Sequence, residues 1–250
     1  MKRSIILLIA FLAFTSELFS QGINVPPRRI IDFPNGALLP KGSFDVTLHA
    51  FPKGGLVTGI DVGLHNRLMI GVSYGGTNVI GEGDVNWHPF AGANVRYRVI
   101  GESFTWPGVA VGFDSQGHGA YLDTTNRFER KALGFYAVSS KNYQILGGLG
   151  IHFGANYSLE TDDLDKGINL FTGADLTIRP NVAVMAEYDF ALNDNGDLSL
   201  GSGKGYLNAG LRFTIKDAVY LELFLVDLLE NRENNFQRSI KVTYLEFFSL

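Results

Sequence analysis

From Gly42 onward apolar and polar residues alternate with a period of two, which places successive side chains on opposite faces of extended strands. Phe44, Val46, Leu48 and Ala50 share one face; Ser43, Asp45, Thr47 and His49 share the other. Leu68, Ile70, Val72 and Tyr74 oppose Gly71, Ser73 and Gly75 in the same way, and Ala93, Val95, Tyr97 and Val99 oppose Asn94, Arg96 and Arg98. The second half is cleaner. Leu149, Ile151 and Phe153 alternate with Gly150, His152 and Gly154, and Leu207, Ala209, Leu211, Phe213 and Ile215 alternate with Asn208, Gly210, Arg212 and Thr214. Counting the ambiguous stretch 133–140, and closing on Ile240, Val242 and Tyr244, the pattern predicts about twelve strands. Most run about nine to eleven residues, the length a tilted strand needs to cross a bilayer.

A soluble barrel with an apolar interior would alternate equally well. Three features favour the membrane. Connections alternate between short (65–67, 101–107, 140–144, 179–181, 216–217) and long (77–89, 117–132, 159–167, 191–205, 227–238), as periplasmic turns and external loops do; only 52–55 is short where a long loop is due. Aromatic residues such as Tyr74, Tyr97, Phe113, Tyr157 and Tyr188 recur near the ends of apolar faces, where amphipathic rings meet a water–lipid interface. The last strand is rich in aromatics, with Tyr244, Phe247 and Phe248, like the C-terminal signal strand read by the outer-membrane barrel assembly machinery. The expected fold is all-β, a transmembrane antiparallel up-and-down barrel in the outer membrane of a Gram-negative-type bacterium, in contact with lipid and lipopolysaccharide.

The first residues follow another rule. Lys2 and Arg3 precede an apolar run from Ile5 to Phe14, and polar residues follow, which reads as a signal peptide over 1–20. Residues 21–41 carry Pro26, Pro27, Pro34 and Pro40 and are too Pro-rich for a membrane strand. They are either a periplasmic extension or a plug folded into the barrel, where Arg28 and Arg29 would meet acidic lumen residues. The barrel then occupies 42–250.

Composition narrows the functional classes. The chain has 250 residues, 30 Gly, 19 Phe, 10 Tyr and no Cys, with a net charge of -4 and 18% charged residues. That charge balance excludes a basic nucleic-acid-binding chain. Without Cys there is no disulfide framework, thiolate zinc site, cysteine nucleophile or lipidated N-terminal cysteine.

Charged and polar side chains collect on the inner face: Arg96, Arg98, Asp114, Gln116 and His152 in the first part, and Asp175, Glu187, Arg212 and Glu222 in the second. Turned to lipid at mid-depth, an Arg or Lys would cost about 2–4 kcal/mol, so these residues are expected to line the lumen. They form either a paired network that stiffens a narrow barrel or a hydrated passage of mixed charge. Gly63, Gly71, Gly112, Gly150, Gly154, Gly173 and Gly210 share the face and either leave space or permit bending. No nucleotide motif survives inspection, because Lys204 lacks both the upstream Gly and the following Ser or Thr of a P-loop. No cofactor is implied. The acidic stretches Asp162–Asp163–Asp165 and Asn193–Asp194–Asn195–Asp197 invite a calcium reading, but Ala191 and Ser202 occupy end positions of an EF-hand register, and no metal ligands are assigned. His152 has no Ser nearby in sequence, and no catalytic residue is assigned.

One stretch is more specific. Gly112, Phe113, Asp114, Ser115, Gln116, Gly117, His118 and Gly119, leading through Tyr121 to Gly134, Phe135, Tyr136, Ala137, Val138, Ser139, Ser140 and Lys141, resembles the YjbH-like outer-membrane proteins associated with exopolysaccharide production. The resemblance covers roughly residues 95–160 and transfers no catalytic residues. It implies a porin-like barrel that assists export of polysaccharide, with polysaccharide export components as partners. The leading expectation is a passive conduit or export accessory. A structural or adhesive barrel with a plugged lumen is the second, and a lipid-modifying enzyme the third.

Overall fold

The structure, a computed structural model, describes residues 25–232 and 235–248; the expected signal peptide lies outside the described residues. The chain runs through β1 (Ser43–Phe51), β2 (Gly55–His65), β3 (Leu68–Thr77), the short β4 (Asn86–Trp87), β5 (Gly92–Ile100) and β6 (Gly108–Asp114). A separate hairpin follows, β7 (His118–Leu122) and β8 (Arg127–Arg130). Then come β9 (Gly134–Tyr143), β10 (Leu149–Tyr157), β11 (Ile168–Arg179), β12 (Val182–Asp189), β13 (Tyr206–Ile215), β14 (Val219–Val226) and β15 (Gln237–Phe247). Without β4 and the hairpin, these are the 12 strands of a closed antiparallel barrel. The seam joins the first strand to the last, from Ser43 opposite Phe247 to Ala50 opposite Ile240. The ambiguous stretch near 133–140 becomes β9, paired with β6 on one side and β10 on the other.

The two faces are sorted opposite to those of a soluble barrel. Val46, Leu48, Val72, Ile151, Leu211 and Val242 are exposed on the outside, whereas Ser43, Asp45, Arg96, His152, Glu187 and Arg212 are buried inside. An apolar belt around a polar interior is stable only where the outer solvent is hydrocarbon.

Residues 25–42 lie within the barrel. From the periplasmic end of β1 the segment rises to a tight turn over 30–33, where the Ile30 N–H donates to the Phe33 carbonyl at 2.9 Å and Arg29 bridges to Pro34. It then descends to Val25, whose carbonyl accepts the Tyr220 hydroxyl at 2.6 Å. Val25, Leu38 and Leu39 pack with Met69, Tyr220 and Leu245 into an apolar floor, and Phe33 stacks on Phe171 with centroids 4.3 Å apart.

Two inner-face glycines give this segment its seat. A Cβ on Gly63 would lie 2.0 Å from the Pro40 carbonyl oxygen, and one on Gly173 would lie 2.9 Å from Ile30 Cδ1. At these two positions the space is filled by the N-terminal segment, whereas wall side chains fill it beside Gly112 (Tyr136), Gly154 (Phe171) and Gly210 (Phe224).

The long external connection over 117–132 is folded into the β7–β8 hairpin, with Arg127 and Phe128 each only 1% exposed. It forms a lid at the outer end of the barrel.

Candidate functional site: the filled lumen

The wall holds the plug chiefly through the plug's main chain. The Glu187 carboxylate accepts the N–H groups of Ile31 (3.1 Å), Asp32 (3.1 Å) and Phe33 (2.9 Å), which converge at the turn. Asn208 Nδ2 steadies that carboxylate from 3.0 Å. Arg96 works from the opposite wall: its Nη1 donates to the carbonyls of Arg28 (2.8 Å), Asn35 (3.3 Å) and Ala37 (2.7 Å), while its Nε donates to the Tyr136 hydroxyl at 2.9 Å. Arg212 Nη2 donates to the Arg29 carbonyl at 3.0 Å and its Nε to Glu222 at 2.7 Å; Glu222 also pairs with Lys241 at 3.0 Å. Buried carboxylates and guanidinium groups are stable here because each finds charge-assisted partners. The plug adds ion pairs of its own: Arg28 with Asp45, Arg29 with Asp114, and Asp32 with Arg130 of the hairpin.

His152 sits in a directed chain of hydrogen bonds. The Gly36 N–H donates to Ser140 Oγ at 2.7 Å, Ser140 Oγ is 2.7 Å from His152 Nδ1, and His152 Nε2 is 2.8 Å from Asp175 Oδ1. With the imidazole proton on Nε2, every group in the chain donates once toward Asp175. Ser140 lies 12 positions from His152 in sequence but directly opposite it in the β9–β10 register. Only a strand alignment, and no local spacing, would have revealed it.

The remaining candidates have separate roles. Arg98 is half-buried at the periplasmic rim, beside the turn that follows β2. Gln116 leaves the wall just beyond β6, accepts from Ser73 Oγ at 3.1 Å and lines a cavity. That cavity, about 140 Å³, lies between the plug and one part of the wall, and is lined among others by Thr47, His49, Asp61, Ser73 and Lys241.

The lid is held by charge. Arg127 Nη1 donates to Asp163 (2.5 Å) and Asp194 (2.6 Å), Lys131 Nζ to Asp163 (2.8 Å), and Glu129 meets Lys53 (2.6 Å) and Arg232 (2.7 Å). The Arg127 and Lys131 side chains thus neutralise the acidic loops that invite a calcium reading. Among the described residues no cluster of His, Cys, Asp or Glu is arranged to hold a metal. Burial raises the Glu160 carboxyl from its ordinary 4.5 to about 7, and the N–H groups of Ala132 (3.0 Å) and Phe128 (3.3 Å) offset only part of this. Burial also acts to raise Glu129, but Arg232 and Lys53 outweigh it and hold the carboxyl below its ordinary value.

No family model matches the chain, and no curated protein matches it. Solved structures do. The KdgM porin in complex with disordered oligogalacturonate is 13% identical over 82% of this chain and 99% of its own, with a TM-score of 0.50. The NanC porin, at 10% identity over 82% and 100%, has a TM-score of 0.44. Outer membrane phospholipase A from Escherichia coli, at 12% identity over 90% and 98%, also reaches 0.44. At 13% identity the likeness to the KdgM porin concerns fold alone, and it agrees with the apolar outer belt: the chain is a 12-stranded outer-membrane β-barrel.

Proposed function

We propose that the barrel is a gated conduit for a polar, saccharide-type solute, and that residues 25–41 are its gate. The carrying observation is that the lumen is filled by a segment tethered to the wall at Gly42 and otherwise held by hydrogen bonds, ion pairs and an apolar floor, with a polar wall behind it. Such a segment is removable without unmaking a strand. The saccharide class rests on the resemblance of residues 112–141 to the YjbH-like proteins, together with a wall rich in hydroxyl, amide and internally paired charged groups. Assistance to polysaccharide export belongs to the same proposal.

A second reading has its own support. The floor formed by Val25, Leu38 and Leu39 against Met69, Tyr220 and Leu245 resembles a permanent core, as expected of a structural barrel whose plug never leaves. Single-channel recording separates the two. The full chain should be closed for most of the time, and a variant lacking 25–40 should conduct steadily. Gly63→Ala, which sets a methyl against the Pro40 carbonyl, should conduct intermittently. An excised barrel that migrates as folded on heat-modifiability gels yet passes no current would end the conduit reading.

A further inference from the structure

Ser140, His152 and Asp175 have the order of parts that activates a serine: a nucleophile on a base, and the base held by a third group. Anchoring the Gly36 amide requires only one acceptor, which Ser140 supplies alone. The histidine and aspartate behind it are surplus to that task. Arg96 lies across the same short stretch of plug, donating to the carbonyls of Asn35 and Ala37 on either side of the residue whose N–H meets Ser140. A peptide therefore already occupies the space between an activated hydroxyl and a buried guanidinium donor.

We propose that Ser140 and His152, positioned by Asp175, form a masked acyl-transfer site for carboxylic esters that reach the lumen, with the plug as its built-in inhibitor. The proposal rests on the gate reading above, because the plug must move for the site to open. Ser140 Oγ would attack the ester carbonyl carbon as its proton passes to His152 Nδ1, and Arg96 would donate to the developing oxyanion. Collapse breaks the bond to the alcohol oxygen, which takes the proton from His152; water then hydrolyses the acyl-serine by the same route, giving acid and alcohol. Asp175 is a positioning residue. It keeps Nδ1 free of hydrogen and steadies the imidazolium.

The plug escapes cleavage for a geometric reason. The Gly36 N–H points at Ser140 Oγ, so the oxygen lies near the peptide plane on the nitrogen side, whereas attack requires approach over the face of the carbonyl carbon. The site faces the periplasmic end of the lumen, where the Asp175 side chain is 24% exposed.

The test is labelling by an alkyl fluorophosphonate, in which Oγ–P forms, fluoride leaves and His152 takes the serine proton. The barrel lacking 25–40 should be labelled at Ser140 at least ten times faster than the full chain, with Ser140→Ala unlabelled and His152→Ala slowed at least tenfold. Asp175→Asn should slow labelling while the barrel still migrates as folded, and Asp175→Glu should restore part of the rate; a merely structural Asp175 would weaken the folded band and leave the labelling rate of the folded fraction unchanged. If the excised barrel does not assemble, Gly63→Ala in the full chain provides the opened state, and labelling should rise in the same direction. A folded, conducting barrel whose Ser140 stays unlabelled overturns this proposal and leaves the gate intact. A labelled barrel that passes no current overturns the conduit and leaves the acyl-transfer site standing.

Discussion

The plug and the lid both close the barrel, but the protein grips them differently. Glu187, Arg96 and Arg212 reach mainly for the plug's N–H and C=O groups, which any sequence of the same path would offer. The lid depends on charged side chains, with Arg127 between Asp163 and Asp194, and Glu129 between Lys53 and Arg232. A backbone grip tolerates side-chain change provided the path is kept. A charge grip fails one residue at a time, and it also responds to pH.

The sharpest way to break the comparison is Arg127→Ala. It leaves buried Asp194 without a cation and Asp163 with Lys131 alone, a loss of about 3–5 kcal/mol for the lid. Limited proteolysis should then cut the 123–126 turn rapidly while the barrel still migrates as folded. Glu187→Ala comes next: orphaning the N–H groups of residues 31–33 should loosen the plug by about 3 kcal/mol, read as a lower temperature for loss of the heat-modifiable band. Glu187→Gln should recover part of this, because an amide oxygen still accepts.

Glu160→Gln tests the lid's pH response. With the folded carboxyl at about 7 and its ordinary value at 4.5, the folded state holds a proton that the unfolded state releases between those limits. The group's contribution is therefore present below pH 4.5 and lost as pH rises through 7. The variant should be more resistant to loop proteolysis than the parent at pH 8, and the difference should vanish at pH 4. Glu129 runs the other way, its contribution being lost as pH falls through its depressed value. The smallest effect is expected from Gly36→Ala. Its methyl would meet Ser140 Cβ at 3.0 Å and Oγ at 3.1 Å, so a shift of a few tenths of an ångström should suffice, at about 1 kcal/mol by guanidinium titration.

Strand positions were legible because a period of two survives whatever the strand faces. Val46 and Leu48 outside, with Asp45 inside, follow from residue identity alone. The occupant of the lumen was less legible. Arg28 and Arg29 could be matched to an acidic interior by charge, but the larger share of the grip falls on carbonyl and amide groups that every residue carries, so no letter of the sequence marks it. Ser140 was hidden for a related reason: its partner is set by the register between neighbouring strands. The inner glycines were visible, yet their purpose was not, since an absent side chain does not say which atoms take its place.

The seam between β1 and β15 has a consequence for assembly. Gly42, where the plug turns away from the wall, receives the Phe248 N–H at 2.8 Å and donates to the Gly63 carbonyl at 3.0 Å, so the plug's hinge is part of the final zipper. Gly42 makes this turn with a φ of 78°, a left-handed backbone that an L side chain adopts only under strain. One residue thus serves both the hinge of the plug and the closure of the barrel, and a side chain placed there would disturb the two together.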